Sequence, residues 1–158
     1  TNGKTTTVRM LSKILEEQGM AVITNPSGAN LDSGLTTTLL DHLALLCRDS
    51  AEAGATVRTA LVFEIDEAFF AKLAERIRPD ICIVTNFFRD QLDRFGELQH
   101  TRDLIARGLA ESETSAVLCA DDSLCASLGK DRPCPTAYFG MKTECVPQQA
   151  GQIGRAHV

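Results

Sequence analysis

Two short apolar runs constrain this chain more than anything else in it. In Thr59-Ala60-Leu61-Val62-Phe63-Glu64-Ile65 and Asp80-Ile81-Cys82-Ile83-Val84-Thr85-Asn86, apolar side chains stand at successive positions rather than alternate ones. Such a strand suits burial on both faces, as in a parallel sheet covered by helices. Helical stretches separate the runs. Lys4 to Gln18 repeats Val8, Leu11, Ile14 and Leu15 at helical spacing and stops at Gly19. Leu35 to about Asp49 carries an apolar face of Leu39, Leu40, Leu43 and Leu46. Glu67 to Arg76, about Glu97 to Ala110, and Asp122 to Leu128 complete the predicted helices, with Pro79 closing the first of these three. Ala21 to Thr24, ended by Asn25-Pro26, Ser115 to Ala120 and Thr136 to Phe139 are further predicted strands. The alternation predicts an α/β domain, a mostly parallel sheet flanked by helices on both sides. Ligands in such sheets bind at the carboxyl ends of the strands.

The 158 residues suffice for one domain with a core. A formal net charge of −5 excludes a general nucleic-acid binder, which needs a basic surface. No apolar run approaches the length of a membrane span. The six cysteines are scattered and form no C-x-x-C pair. Cys47 sits in an apolar helical stretch, and Cys82 and Cys119 in apolar strands, so buried reduced thiols are expected. Their spacing does not build a zinc site.

Gly3-Lys4-Thr5 opens the first helix. Glycine lets a backbone approach phosphates, helix-start amides and the helix dipole attract them, a lysine ammonium reaches the terminal phosphates, and a threonine hydroxyl can ligate Mg²⁺. The bland alternative is a glycine turn before an amphipathic helix. Residues 1–151 read as a single domain whose first strand and loop start would precede Thr1. Residues 152–158 read as a tail foreign to it, because Ile153 to Val158 back-translates to the adapter-like ATC GGA AGA GCA CAC GTC.

Glu64 closes the first apolar run, with Asp66 and Glu67 just beyond. A carboxylate at the end of a buried strand suits a Mg²⁺ ligand in phosphate-loop enzymes; an exposed strand terminus is the alternative. Asp66 is placed as the cap of the following helix. The second run leads into Thr85-Asn86-Phe87-Phe88-Arg89-Asp90-Gln91-Leu92-Asp93-Arg94-Phe95-Gly96-Glu97. Arginines can neutralise transferring phosphate, and aspartates can orient Mg²⁺ or its waters. A solvated charge cluster is the alternative, but the ligand-binding edge of the sheet favours function.

These residues resemble the Mur-ligase family. Thr1-Asn2-Gly3-Lys4-Thr5-Thr6 is similar to the G-T-N-G-K-T/S-T loop of Mur ligases, folylpolyglutamate synthases and cyanophycin synthetases. Thr85 to Gly96 is similar to the segment T-N-x-x-x-D-H-L-D-x-H-G, with Asn86, Asp90, Leu92, Asp93 and Gly96 in frame. Gln91 replaces a metal-binding histidine, and the carbamylated lysine of the common ligases would fall near Ile105. Both departures resemble the MurT-type branch, whose segment reads close to N-L-F-R-D-Q-L-D-R-Y-G-E. Thr24-Asn25 with Gly28-Ala29-Asn30 is similar to its T-N-x-x-G-A-N, and Ala120-Asp121-Asp122 to its N-A-D-D, with Cys119 in place of the Asn. The resemblance runs from Thr1 to about Gly140.

The resemblance implies the P-loop NTPase-like central domain of a Mur ligase. It implies ATP and Mg²⁺, with Asn2, Gly3, Lys4, Thr5, Thr6 and Asn86 on the nucleotide and Thr5 and Glu64 on the metal. Lys4, Arg89, Asp90, Gln91, Asp93 and Arg94 would shape the γ-phosphate and acceptor side. The implied reaction is cytoplasmic amidation of the D-glutamate α-carboxylate of lipid II, at the inner membrane face, with ammonia from a GatD-type glutaminase. A zinc ribbon, in which Cys145 could be a first ligand, is implied for the full-length branch members and not within these residues. Another Mur-type amino-acid ligase, or a nucleotide-binding module without chemistry, are the alternatives. A phosphate-loop GTPase would need an N-K-x-D motif, which the sequence lacks.

Overall fold

The structure is a computed structural model that describes residues 3–25, 32–43, 46–47, 58–87 and 95–141. Its elements follow in the order α1 (Lys4–Glu17), β1 (Ala21–Ile23), α2 (Asp32–Asp41), β2 (Thr59–Leu61), α3 (Glu67–Ile77), β3 (Ile81–Val84), α4 (Phe95–Glu111), β4 (Ser115–Cys119), α5 (Ser123–Ser127) and β5 (Thr136–Phe139). Every strand pair among the described residues is parallel, as the apolar runs predicted. β1 pairs with β2 from Ala21↔Thr59 to Ile23↔Leu61. β3, β4 and β5 form a second sheet in that order.

One face of the three-stranded sheet carries the core. Val84, Ala116 and Leu118 meet Phe70 and Ala74 of α3, Ile105 and Leu109 of α4, and Cys125 and Leu128 at α5. α3 buries Phe70, Ala71, Leu73 and Ala74, a stripe at helical spacing. Asp66 caps it as expected, its Oδ1 accepting from the Ala68 amide at 3.0 Å. α4 lies close to α3 at Gly108, where a Cβ would come within 2.9 Å of the Phe70 ring and 3.1 Å of the Ala71 Cα. Ile105 is a core residue, 4% exposed, so no ligand-facing lysine has a place there.

The apolar runs overstate burial. Leu61 is 46% exposed and Ile81 61%. Consecutive apolar residues record hydrophobicity on both faces of a strand, whereas the described helices bring the Val84 face of β3 to the depth of a core. The α2 stripe is also displaced. Leu40 and Leu43 are exposed, and Leu35 and Thr38 are buried instead. The helix starts at Asp32, earlier than predicted, which changes the face that turns inward. Ile14 of α1 is likewise exposed.

The five described cysteines are free thiols, and Cys145 lies outside the described residues. Cys47 is exposed, against expectation. Cys125 is fully buried; its Sγ donates to the Val84 carbonyl and accepts from the Cys119 amide, both at 3.2 Å. Burial pushes the Cys125 thiol up to about 11 and the Cys82 thiol up to about 12. An aromatic disulfide reagent at pH 8 should therefore label Cys47 in the native protein and reach Cys125 only after denaturation. Prompt labelling of Cys125 would contradict its placement. Because both folded values lie above the ordinary 9.0, their stabilising contribution is whole below about pH 9. It is lost as pH climbs towards 11 and 12, so the melting temperature should fall across that window.

Candidate functional site

Gly3 sits at the N-cap of α1 with φ at 81°, in the left-handed region where a side chain is strained and glycine is not. No side chain caps the helix there. The first amides of a helix have no acceptor within it, and with the helix dipole they favour an anion. Thr7 closes the turn by donating its Oγ1 to the Gly3 carbonyl at 2.9 Å. Lys4 and Thr5, first and second residues of the helix, thereby leave the turn beside the segment that follows β2.

That segment carries Glu64. Thr5 Oγ1 donates to Glu64 Oε2 at 2.7 Å. Lys4 Nζ lies 3.3 Å from Glu67 Oε1, with the two side chains 24% and 17% exposed. The Glu64 backbone is gripped in turn by the buried Asn25, whose Nδ2 donates to the Glu64 carbonyl and whose Oδ1 accepts from the Glu64 amide, each at 2.8 Å.

The donor set fits magnesium. Mg²⁺ takes oxygen ligands at 2.0–2.1 Å in an octahedron, which separates adjacent ligands by about 2.9 Å. Thr5 Oγ1 and Glu64 Oε2 are hard oxygens 2.7 Å apart, close to that spacing. No group of three or more His, Cys, Asp or Glu side chains gathers among the described residues.

A second strand exit lies nearby. Phe87 is buried just after β3, and its amide donates to Asp122 Oδ2 at 2.6 Å. The other Asp122 oxygen accepts from the Leu124 and Cys125 amides at 3.0 Å, capping α5. Asp122 thus ties the exit of β3 to that of β4. Ile65, next to Glu64, packs against the cluster that contains Val84 and Phe87, so the segments after β2 and β3 share one hydrophobic anchorage. The half-buried Asn86 stands between Val84 and Phe87.

Of the residues singled out by sequence, Gly3, Lys4, Thr5 and Thr6 form one turn, and Thr5 meets Glu64. Asn2, Arg89, Asp90, Gln91, Asp93 and Arg94 lie outside the described residues. Sequence analysis missed the roles of Asn25, Glu67 and Asp122. A signal for Asn25 existed, a carboxamide between a strand and Pro26, but its partner lies 39 residues away.

The chain matches the Mur ligase middle domain over residues 1–156. It belongs to the Mur ligase middle-domain family. Among its relatives, the lipid II isoglutaminyl synthase (glutamine-hydrolyzing) subunit MurT of Streptococcus pneumoniae is 38% identical, over 94% of this chain and 31% of the relative. The subunit of the same name from Staphylococcus aureus is 33% identical, over 90% and 30%. A UDP-N-acetylmuramoylalanine–D-glutamate ligase of Parasynechococcus marenigrum is 34% identical, over 77% and 24%. The chain therefore spans less than a third of the length of these relatives. Within this Mur ligase middle domain, the Lys4 turn touches the segment after β2 through Thr5 and Glu64 and through Lys4 and Glu67.

Proposed function

We propose that the intact protein is an ATP-dependent carbon–nitrogen ligase subunit of peptidoglycan biosynthesis that amidates the D-glutamate α-carboxylate of lipid II. The observation that carries this is the contact of Thr5 Oγ1 with Glu64 Oε2 at 2.7 Å. It joins the helix-start turn to a strand-end carboxylate, the pairing a magnesium-nucleotide needs. The MurT relatives favour ammonia as the nucleophile, and the buried Ile105 fits the absence of the lysine used by amino-acid ligases.

In this mechanism Asn2, Gly3, Thr6 and Asn86 hold the nucleotide, and Lys4 draws charge from its terminal phosphates. Thr5 and Glu64 would hold Mg²⁺, which when bound would supply neutralisation of phosphate charge. Arg89, Asp90, Gln91, Asp93 and Arg94 orient the γ-phosphate and the acceptor. A substrate carboxylate oxygen attacks the γ-phosphorus and ADP leaves. Ammonia then attacks the acyl carbon and inorganic phosphate leaves. Phosphorylation matters because a carboxylate otherwise offers only oxide as a leaving group. A GatD-type glutaminase supplies the ammonia in the cytoplasm. No described helix is long and apolar enough to cross a membrane. The lipid-linked acceptor is taken at the inner membrane face.

ADP release by the intact protein, with lipid II as acceptor, tests this. Ammonium should support release, and free amino acids other than glutamine should not. Release with an amino acid alone would favour another Mur-type ligase. Nucleotide binding without turnover, glutaminase present, would favour a binding module.

A further inference from the structure

Asn25 stands where β1 runs out. Past the last paired residues, the Val62 amide still donates to the Ile23 carbonyl at 2.9 Å. In a continued parallel ladder, the next amide on that side, that of Glu64, would turn to the Asn25 main-chain carbonyl. The Asn25 side chain takes that place. Its Oδ1 accepts from the Glu64 amide and its Nδ2 donates to the Glu64 carbonyl, both at 2.8 Å. A carboxamide carries acceptor and donor on one carbon, as a peptide group does; alanine has neither. Asn25 is only 6% exposed, and both arms fall on the single residue whose carboxylate meets Thr5.

We propose that Asn25 is a positioning residue for that carboxylate, locking the Glu64 backbone so that Glu64 Oε2 and Thr5 Oγ1 offer adjacent oxygens to a divalent cation. The inference rests on the assignment of Thr5 and Glu64 as the Mg²⁺-holding pair. Partners that orient a metal ligand characteristically matter by about 10–100-fold in metal affinity. A residue that served folding alone would leave the affinity of the folded protein unmoved.

The probe is Mn²⁺, followed by electron paramagnetic resonance in the intact protein with ADP present. Asn25→Ala should weaken Mn²⁺ binding by about 10–100-fold, leave ADP affinity in chelator unchanged, and speed hydrogen exchange at the Glu64 amide. Asn25→Leu, which keeps the branched outline of the side chain and removes both bonds, is measured alongside, so that failure of the smaller variant to fold still leaves a result. Glu64→Gln is the control. If it weakens Mn²⁺ binding and neither folded Asn25 variant does, the positioning role is wrong and the site assignment stands. If Glu64→Gln has no effect either, the site assignment fails and the role of Asn25 with it.

Discussion

Substituting alanine for Lys4 should abolish ATP turnover in the intact protein while leaving its circular dichroism unchanged. Lys4 places an ammonium on the first residue of α1, 3.3 Å from Glu67 and one residue before the hydroxyl that meets Glu64. Without that cation, incoming phosphates would face two carboxylates with no lysine between. Removing a single aimed donor from an active site costs about 10²–10³ in rate, and a full charge should cost no less. Lys4→Arg should not restore activity, because a planar fork does not replace a compact ammonium. Glu64→Gln should also be severe, and Gln91→Ala milder, since an amide is a poor magnesium ligand. Unchanged turnover for Lys4→Ala would remove the basis of the nucleotide assignment. A milder effect for Glu64→Gln than for Gln91→Ala would count against the metal assignment.

Leu118→Ala should be the most damaging truncation in the fold, at about 3–5 kcal/mol. Leu118 is fully buried on β4, the central strand of its sheet. Its register partners are Val84 on one side and Tyr138 on the other. β4 is hydrogen-bonded along both edges, so its backbone cannot sink into the vacated space, and the cavity persists. A domain of this size is stable by about 5–15 kcal/mol, so the loss would show as a large fall in the urea midpoint. Leu40→Ala, at a position 64% exposed, should shift it by about 0.5 kcal/mol or less. Equal effects from the two would mean that the core is elsewhere.

The parallel α/β order was legible because each element has its own signature. Ile81 to Val84 cannot sit in an amphipathic helix of ordinary length, and the stop after Gln18 or at Pro79 is local chemistry. Asp66 was legible for the same reason, since a cap serves amides two residues on. Burial was less so. Whether Ile81 or Leu43 is covered depends on which helix lands on it, and that is decided by packing between distant segments. The site divides along the same line. Lys4, Thr5 and Glu64 belong to patterns tied to a strand end or a helix start. Asn25, Glu67 and Asp122 act on atoms supplied by remote parts of the chain, and nothing adjacent to them announces the partner.

The all-parallel pairing also governs how the chain reaches this state. Among the described strands, Ala21 pairs with Thr59 and Ile81 with Ser115, each across an intervening helix. No hairpin is available as an early nucleus among the described strands. Loop-closure entropy must be met before any ladder bond forms, which places such topologies among the slower folders. On the ribosome, β1 and β3 would each meet these partners only after a whole intervening helix had been made, a window in which a chaperone, or another nascent chain, could reach them first.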